Sequence, residues 1–198
     1  MIIFGEIKMF GSTNSVKKIV EGKRKGILRT VEGDATTPQT THEKEIVIIP
    51  HVCNDEKIWG GGCVIALSKK WPEPEKMYRA FCDGVSPYPE RNKNNPILGK
   101  NCSVKIDNHL TVMNMIAQDS IISKDNPKPI KYKALANAME DVFGYVEMIK
   151  CQTSSPVVIH CPKFGSLRSG GNWEFILELI REIWLEQGID VVVYEFVE

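Results

Sequence analysis

Glu45-Ile46-Val47-Ile48-Ile49-Pro50 is a nearly unbroken apolar run, followed by His51-Val52-Cys53-Asn54-Asp55-Glu56-Lys57-Ile58-Trp59 and then by Gly60-Gly61-Gly62-Cys63. A β-branched run without polar alternation is what a strand buried on both faces of a parallel sheet requires. The glycines precede a helix-forming stretch, 63–71, that Pro72 must stop. The same order recurs near the end of the chain. An apolar strand over 156–161 leads into a glycine-bearing loop over 164–171, then into a helix over 173–186 with Ile176, Leu179, Ile180, Ile183 and Trp184 on one stripe.

Further elements fit between and around these two junctions. Residues 27–32 alternate and run into Gly33-Asp34, a strand ending in a turn. A helix is expected over 75–82 and a loop over 84–96. Strands over 102–106 and 110–116 flank Asp107-Asn108, a hairpin turn. Residues 132–149 carry a helical apolar stripe, and 190–197 form a last strand. Apolar strands alternating with helices predict an α/β fold, three layers with helices on both sides of a mixed or mostly parallel sheet. Its strand-to-helix loops gather at the carboxyl edge, where open α/β sheets bind ligands.

Composition narrows the function classes. The 198 residues suit one domain with extra elements. Lys+Arg and Asp+Glu are 25 each, so net charge gives no argument for a nucleic acid or an anionic membrane as partner. Residues 172–198 hold seven acidic groups and one basic one, with Glu174, Glu178, Glu182 and Glu186 spaced as a solvated helix face. The six cysteines form no C-x-x-C pair and no finger spacing, which argues against a metal site or a disulfide scaffold. No apolar run approaches the ~18 residues of a membrane span. These features predict a cytoplasmic protein with neither metal nor cofactor.

The chemistry concentrates at the two glycine loops. A glycine run ahead of a helix lets backbone approach a ligand and aims unpaired N–H groups at an anion. One such loop is explained by a tight turn alone; two at equivalent junctions favour a phosphate site, and a facing pair suits a diphosphate. Neither loop is a Walker A or a dinucleotide fingerprint.

In these residues the chain resembles a macro domain, the ADP-ribose-binding fold. The resemblance rests on Gly33-Asp34-Ala35-Thr36, on the loop over 54–62, on Asn114-Met115-Ile116-Ala117-Gln118, and on Lys128-Pro129-Ile130-Lys131-Tyr132. The loop over 165–171 and the ending Trp173 … Val193-Tyr194-Glu195-Phe196 complete it. The branch is that of bacterial and phage proteins near the ADP-ribose-1″-phosphate phosphatases and the terminal ADP-ribose glycohydrolases. It covers 27–198 and leaves 1–26 as an N-terminal extension or extra edge element. The resemblance implies that Asp34, with the Ala35 N–H beside it, takes the adenine amino group. It implies that Gly60, Gly61 and Gly62 line the diphosphate with Gly165, Ser166, Leu167, Arg168, Ser169, Gly170 and Gly171. Leu167 and Arg168 depart from the pattern, the first standing where a glycine is usual. Arg168 either adds a phosphate contact or points to solvent.

Catalysis is less well defined. The lysine and the acid that the glycohydrolases use correspond to Gln118 and Ser169, which support neither a Schiff base nor a carboxylate base. The polar candidates at the distal ribose are Asn54, Asp55, His51, Gln118 and Asn172; Asn54 would orient a water, and His51 or Asp55 would supply a base. Against this, His51 also reads as a loop histidine bonded to backbone. Trp59 either covers the ligand as a flap or anchors its loop. His160 and Cys161, adjacent in a strand, point to opposite faces and form no dyad. The sequence therefore predicts binding of ADP-ribose or an ADP-ribosylated molecule, and leaves open an ADP-ribose-1″-phosphate hydrolase, a non-catalytic reader and, less favoured, a nucleotide- or RNA-binding domain.

Overall fold

The position of one proline explains where the sheet opens. In the computed structural model, which describes residues 24–85 and 96–196, the strand β2 (Ile46–Asn54) is central. Along it the Ile46 N–H donates to Pro156 O (2.8 Å) on one side and the Val47 N–H to His109 O (2.7 Å) on the other. Alternate N–H groups of a strand face opposite neighbours. The donor that Pro50 lacks is therefore the one that would face the strand β5 (Val157–Pro162). The β2–β5 register accordingly stops at Ile48↔Ile159, while β2 stays paired with β4 (Leu110–Gln118) as far as Asn54. Beyond Ile48 the two strands are no longer paired.

The described residues place six strands in the order β1-β6-β5-β2-β4-β3, with β1 at Leu28–Glu32, β3 at Asn101–Lys105 and β6 at Asp190–Glu195. All pairings are parallel except that of β3 with β4, the expected hairpin. Chain direction reverses its spread between β2 and β5. From β2 the chain runs through α1 (Cys63–Lys70) and α2 (Glu73–Asp83) to β3 and β4, and from β5 through α4 (Trp173–Ile180) to β6 on the other side. This is the topological switch point, where open α/β sheets form their crevice.

Strand periodicity sorts the core into two faces. Ile48, Met113, Met115, Ile159, Val191 and Val193 pack beneath α4 and the long helix α3 (Tyr132–Lys150), through Leu135, Met139, Val142, Ile176 and Ile180. Val47, Ile49, Cys53, Val112 and Ile116 face α1 and α2, through Leu67, Tyr78 and Phe81. On that same face Val158, Val192 and Tyr194 are covered by the loop after β1, through Ala35. The fold is three-layered and mixed, as the sequence predicts.

Boundaries differ where tertiary partners intervene. β2 continues past Pro50 because His51 and Asn54 are buried on partners. The last helix ends its regular turn at Ile180 and proceeds as a wide π-type turn over Arg181–Leu185, in which the Trp184 Nε1–H donates to Met139 O (3.0 Å) of α3. Of the expected N-terminal extension, residues 1–23 lie outside the described residues; Arg24 ion-pairs with Asp190, and the Gly26 N–H donates to Leu185 O. Glu174, Glu178, Glu182 and Glu186 are all exposed, as expected of a solvated face. Among the described residues no helix is long and apolar enough to cross a membrane, no three-residue acidic, His or Cys cluster could hold a metal, and none of the six cysteines forms a disulfide.

Candidate functional site

The loop after β2 is built on Asn54. Its Oδ1 accepts from the Glu56 and Ile58 N–H groups (2.9 and 3.0 Å), and its Nδ2 donates to Ile58 O (2.6 Å). Tyr78, fully buried on α2, donates its hydroxyl to Asn54 O and Oδ1 (2.7 and 2.9 Å). A side-chain amide so engaged organises a loop; it is not aimed at a ligand. Sequence reasoning missed Tyr78, and no local pattern announces it, because its partner lies 24 residues upstream.

Trp59 takes the anchoring place and not that of a flap. Its Nε1–H donates to Ser68 Oγ (2.7 Å), and its ring lies against His51 (5.6 Å between centroids) and Tyr78 (5.3 Å). Above this base Gly60, Gly61 and Gly62 run into α1. Their N–H groups form no hydrogen bond among the described residues, and nothing lies within 4 Å of where a Gly60 Cβ would stand.

The loop after β5 is locked. The Ser169 N–H donates to Ser166 O, that of Gly170 to Leu167 O and that of Gly171 to Gly165 O (2.8, 3.0 and 3.1 Å). The Ile130 N–H donates to Ser169 O (3.1 Å), stitching the loop to the segment before α3. Gly170 has φ 66°, and a Cβ there would overlap Pro127 O; one on Gly171 would overlap Gly165 O. Only the crown is open, where the N–H groups of Ser166, Leu167 and Arg168 have no hydrogen-bond partner among the described residues. Leu167 stands there at φ 40° and 88% exposed, a conformation that costs a branched L-residue energy and that glycine adopts freely.

The two loops meet through Arg168. Its Nη1 lies 2.8 Å from where a Gly61 Cβ would stand, and its Cδ 3.7 Å from that of Gly62. Arg168 is exposed and makes no ion pair among the described residues. A cation thus spans two sets of unpaired N–H groups at the mouth of the β2–β5 split.

The remaining candidates divide. Asp34 and Ala35 follow β1; the Asp34 Oδ1 accepts from the Thr36 N–H (2.8 Å), while Ala35 is buried on Val158, Val192 and Tyr194. Lys70 ties this turn to α1, donating to Thr36 O (2.7 Å) and Thr37 Oγ1 (2.6 Å). Asp55, half-buried, accepts from the Ser120 N–H (2.9 Å) and donates its own N–H to the carbonyl of Gln118 (3.0 Å), which is also half-buried at the end of β4. His51 is corrected: it is a strand residue, fully buried, with Nε2 2.6 Å from Asn114 Oδ1. Because Asn114 Nδ2 donates to Pro74 O (3.0 Å), its Oδ1 accepts the histidine proton. Burial lowers the His51 pKa to about 4, so the enclosed ring is neutral at pH 7. Asn172 caps α4, accepting from the Phe175 N–H (3.1 Å).

Comparison with known proteins agrees with this geometry. No family model matches the chain. Over 149 residues it is 25% identical to an ADP-ribose 1″-phosphate phosphatase of Candida albicans, across 75% of this chain and 88% of that protein. A protein of unknown function from Bacteroides thetaiotaomicron aligns with a TM-score of 0.73 at 31% identity, covering 87% of this chain and 99% of its own. A macrodomain protein from Streptomyces coelicolor aligns with a TM-score of 0.67 at 32% identity, over 85% of this chain and 98% of that one. The chain belongs to the macrodomain family.

Proposed function

We propose that this chain binds ADP-ribose or a derivative of it, free or attached to another molecule, in the cleft between the loops after β2 and β5. The observation that carries the reading is the pair of open N–H sets, Gly60–Gly62 and Ser166–Arg168, brought to one place at the sheet's switch point with Arg168 across them. Backbone N–H groups and a guanidinium converging on one place suit a diphosphate. Asp34, an acceptor-only side chain, takes the adenine amino group beside the Ala35 N–H. Membership of the macrodomain family supports the ligand. We assign residues 27–198 to this domain, and the cysteines, none in a disulfide, fit a reducing cytoplasm.

A second reading, removal of the 1″-phosphate, is favoured by the name of the Candida albicans relative. In that case Asp55, the candidate carboxylate beside Gln118, serves as the base, since His51 is enclosed and Asn54 is committed to its loop. One experiment separates the readings: titration with ADP-ribose, alongside incubation with ADP-ribose-1″-phosphate and with an ADP-ribosylated protein. Turnover of either substrate identifies an enzyme. Saturable binding without turnover identifies a reader, and absence of binding rejects the proposal.

A further inference from the structure

Beneath the turn that carries Asp34 lies a polar chain, buried at its centre, that the proposed ligand contacts do not use. Glu45 and His160 are both fully buried in their side chains, with His160 Nε2 2.8 Å from Glu45 Oε1. The second oxygen of Glu45 accepts from the N–H and the hydroxyl of Thr41 (both 3.1 Å). On the other side of the ring, His160 Nδ1 lies 2.9 Å from the Tyr194 hydroxyl, which accepts from the Gln39 N–H (2.7 Å).

These contacts fix every proton. A carboxylate accepts only, so Nε2 of His160 carries hydrogen and donates to Glu45. Desolvation of the buried ring lowers its pKa and keeps it neutral, so Nδ1 is the acceptor and the Tyr194 O–H donates to it. Tyr194 therefore receives the Gln39 N–H on one lone pair and gives its proton to His160. Its ring, 2% exposed, packs against Ala35, and its Cδ1 lies 3.8 Å from where a Gly33 Cβ would stand. The chain Thr41–Glu45–His160–Tyr194–Gln39 closes a loop of irregular backbone over the sheet and sets the ring on which Gly33 to Ala35 rest.

We infer that His160 and Tyr194 are positioning residues for base selectivity: through the Glu45-anchored chain they hold the turn that presents Asp34 and the Ala35 N–H. This rests on the proposal that Asp34 reads the adenine amino group. Glu45, His160 and Tyr194, the centre of the chain, are buried, so their effect on binding is indirect. A turn held in one geometry discriminates between an amino group and a carbonyl on the base; a turn that relaxes does not.

The test compares affinity for ADP-ribose with that for its hypoxanthine analogue, inosine diphosphate ribose, in the unmutated protein, His160→Phe and Tyr194→Phe. Each is measured below its thermal midpoint. Tyr194→Phe keeps the ring under Ala35 and removes only the hydroxyl, so it carries the test if His160→Phe does not fold. The expected result is that the unmutated protein prefers the adenine ligand and that this preference falls toward unity in the variants. Equal weakening toward both ligands, or no change, would overturn the inference and leave the binding proposal standing. Absence of discrimination in the unmutated protein would overturn the Asp34 reading and this inference together, while ADP-ribose binding would still be measured.

Discussion

The two glycine loops have similar sequences and opposite physical characters. The loop after β2 is fastened from below, by Asn54, Tyr78, Trp59 and His51, and is open above. The loop after β5 is fixed within its own plane by glycines that have no room for a side chain, and opens only at its crown. Gly60 in the first loop is thus open to approach, whereas Gly170 and Gly171 in the second serve packing. A glycine run in a sequence does not say which, and substitutions separate the two.

The largest effect is expected at Gly170. Gly170→Val forces a β-branched residue to φ 66° and drives its Cβ into Pro127 O. Strain and overpacking together cost about 4 kcal/mol. The thermal midpoint of the ligand-free protein falls accordingly; an unshifted midpoint would make the two loops alike.

Acid probes the base of the first loop. His51 titrates near 6.5 when unfolded and at about 4 when folded. Between those values the unfolded chain holds a proton that the folded one lacks, so stability rises with pH through the window and is lost as pH falls through it. The difference amounts to about 3 kcal/mol. His51→Gln, which can still donate to Asn114, flattens this limb in urea titrations from pH 7 to 4. His160, also held neutral by burial, retains its own share.

The bridge between the loops comes next. Arg168 is exposed and makes no ion pair among the described residues, so Arg168→Ala leaves folding stability within about 0.5 kcal/mol. It weakens ADP-ribose by about 2 kcal/mol, the scale of a hydrogen bond to a charged group, and calorimetry at two salt concentrations reads the loss. The smallest change is expected at Leu167. Exposed and at φ 40°, it contributes strain without burial, so Leu167→Gly raises stability by about 1 kcal/mol in chemical denaturation.

The layers of this fold are legible in the sequence because Ile46–Ile49, Val157–Ile159 and the stripes of α3 and α4 are uninterrupted. The extent of β2 is not, because His51 and Asn54 look like loop residues until Asn114 and Tyr78 are brought against them. Trp59 illustrates the same boundary: flap and anchor fit its sequence equally, and only Ser68, folded back onto its indole, separates them. For the second loop the resemblance implies phosphate contacts along its whole length. Its lower half is also a packing element, which the sequence does not show, since the contact that constrains Gly170 comes from Pro127, 43 residues away in the chain. Its open N–H groups lie at the crown, Ser166–Arg168. The end of the β2–β5 pairing is traceable to Pro50, whose effect depends on which neighbour its missing N–H would have faced.

The most direct test of the account uses the open loop. Gly60 is exposed with nothing near its missing Cβ, so Gly60→Val fits the ligand-free protein without a clash. Isothermal titration with ADP-ribose, paired with the thermal midpoint, then isolates approach from folding. The account predicts saturable one-to-one binding by the unmutated protein and, in Gly60→Val, an affinity loss of about tenfold or more (about 1.4 kcal/mol) with the midpoint unchanged. Full affinity in the folded variant, or no binding by the unmutated protein, would contradict it.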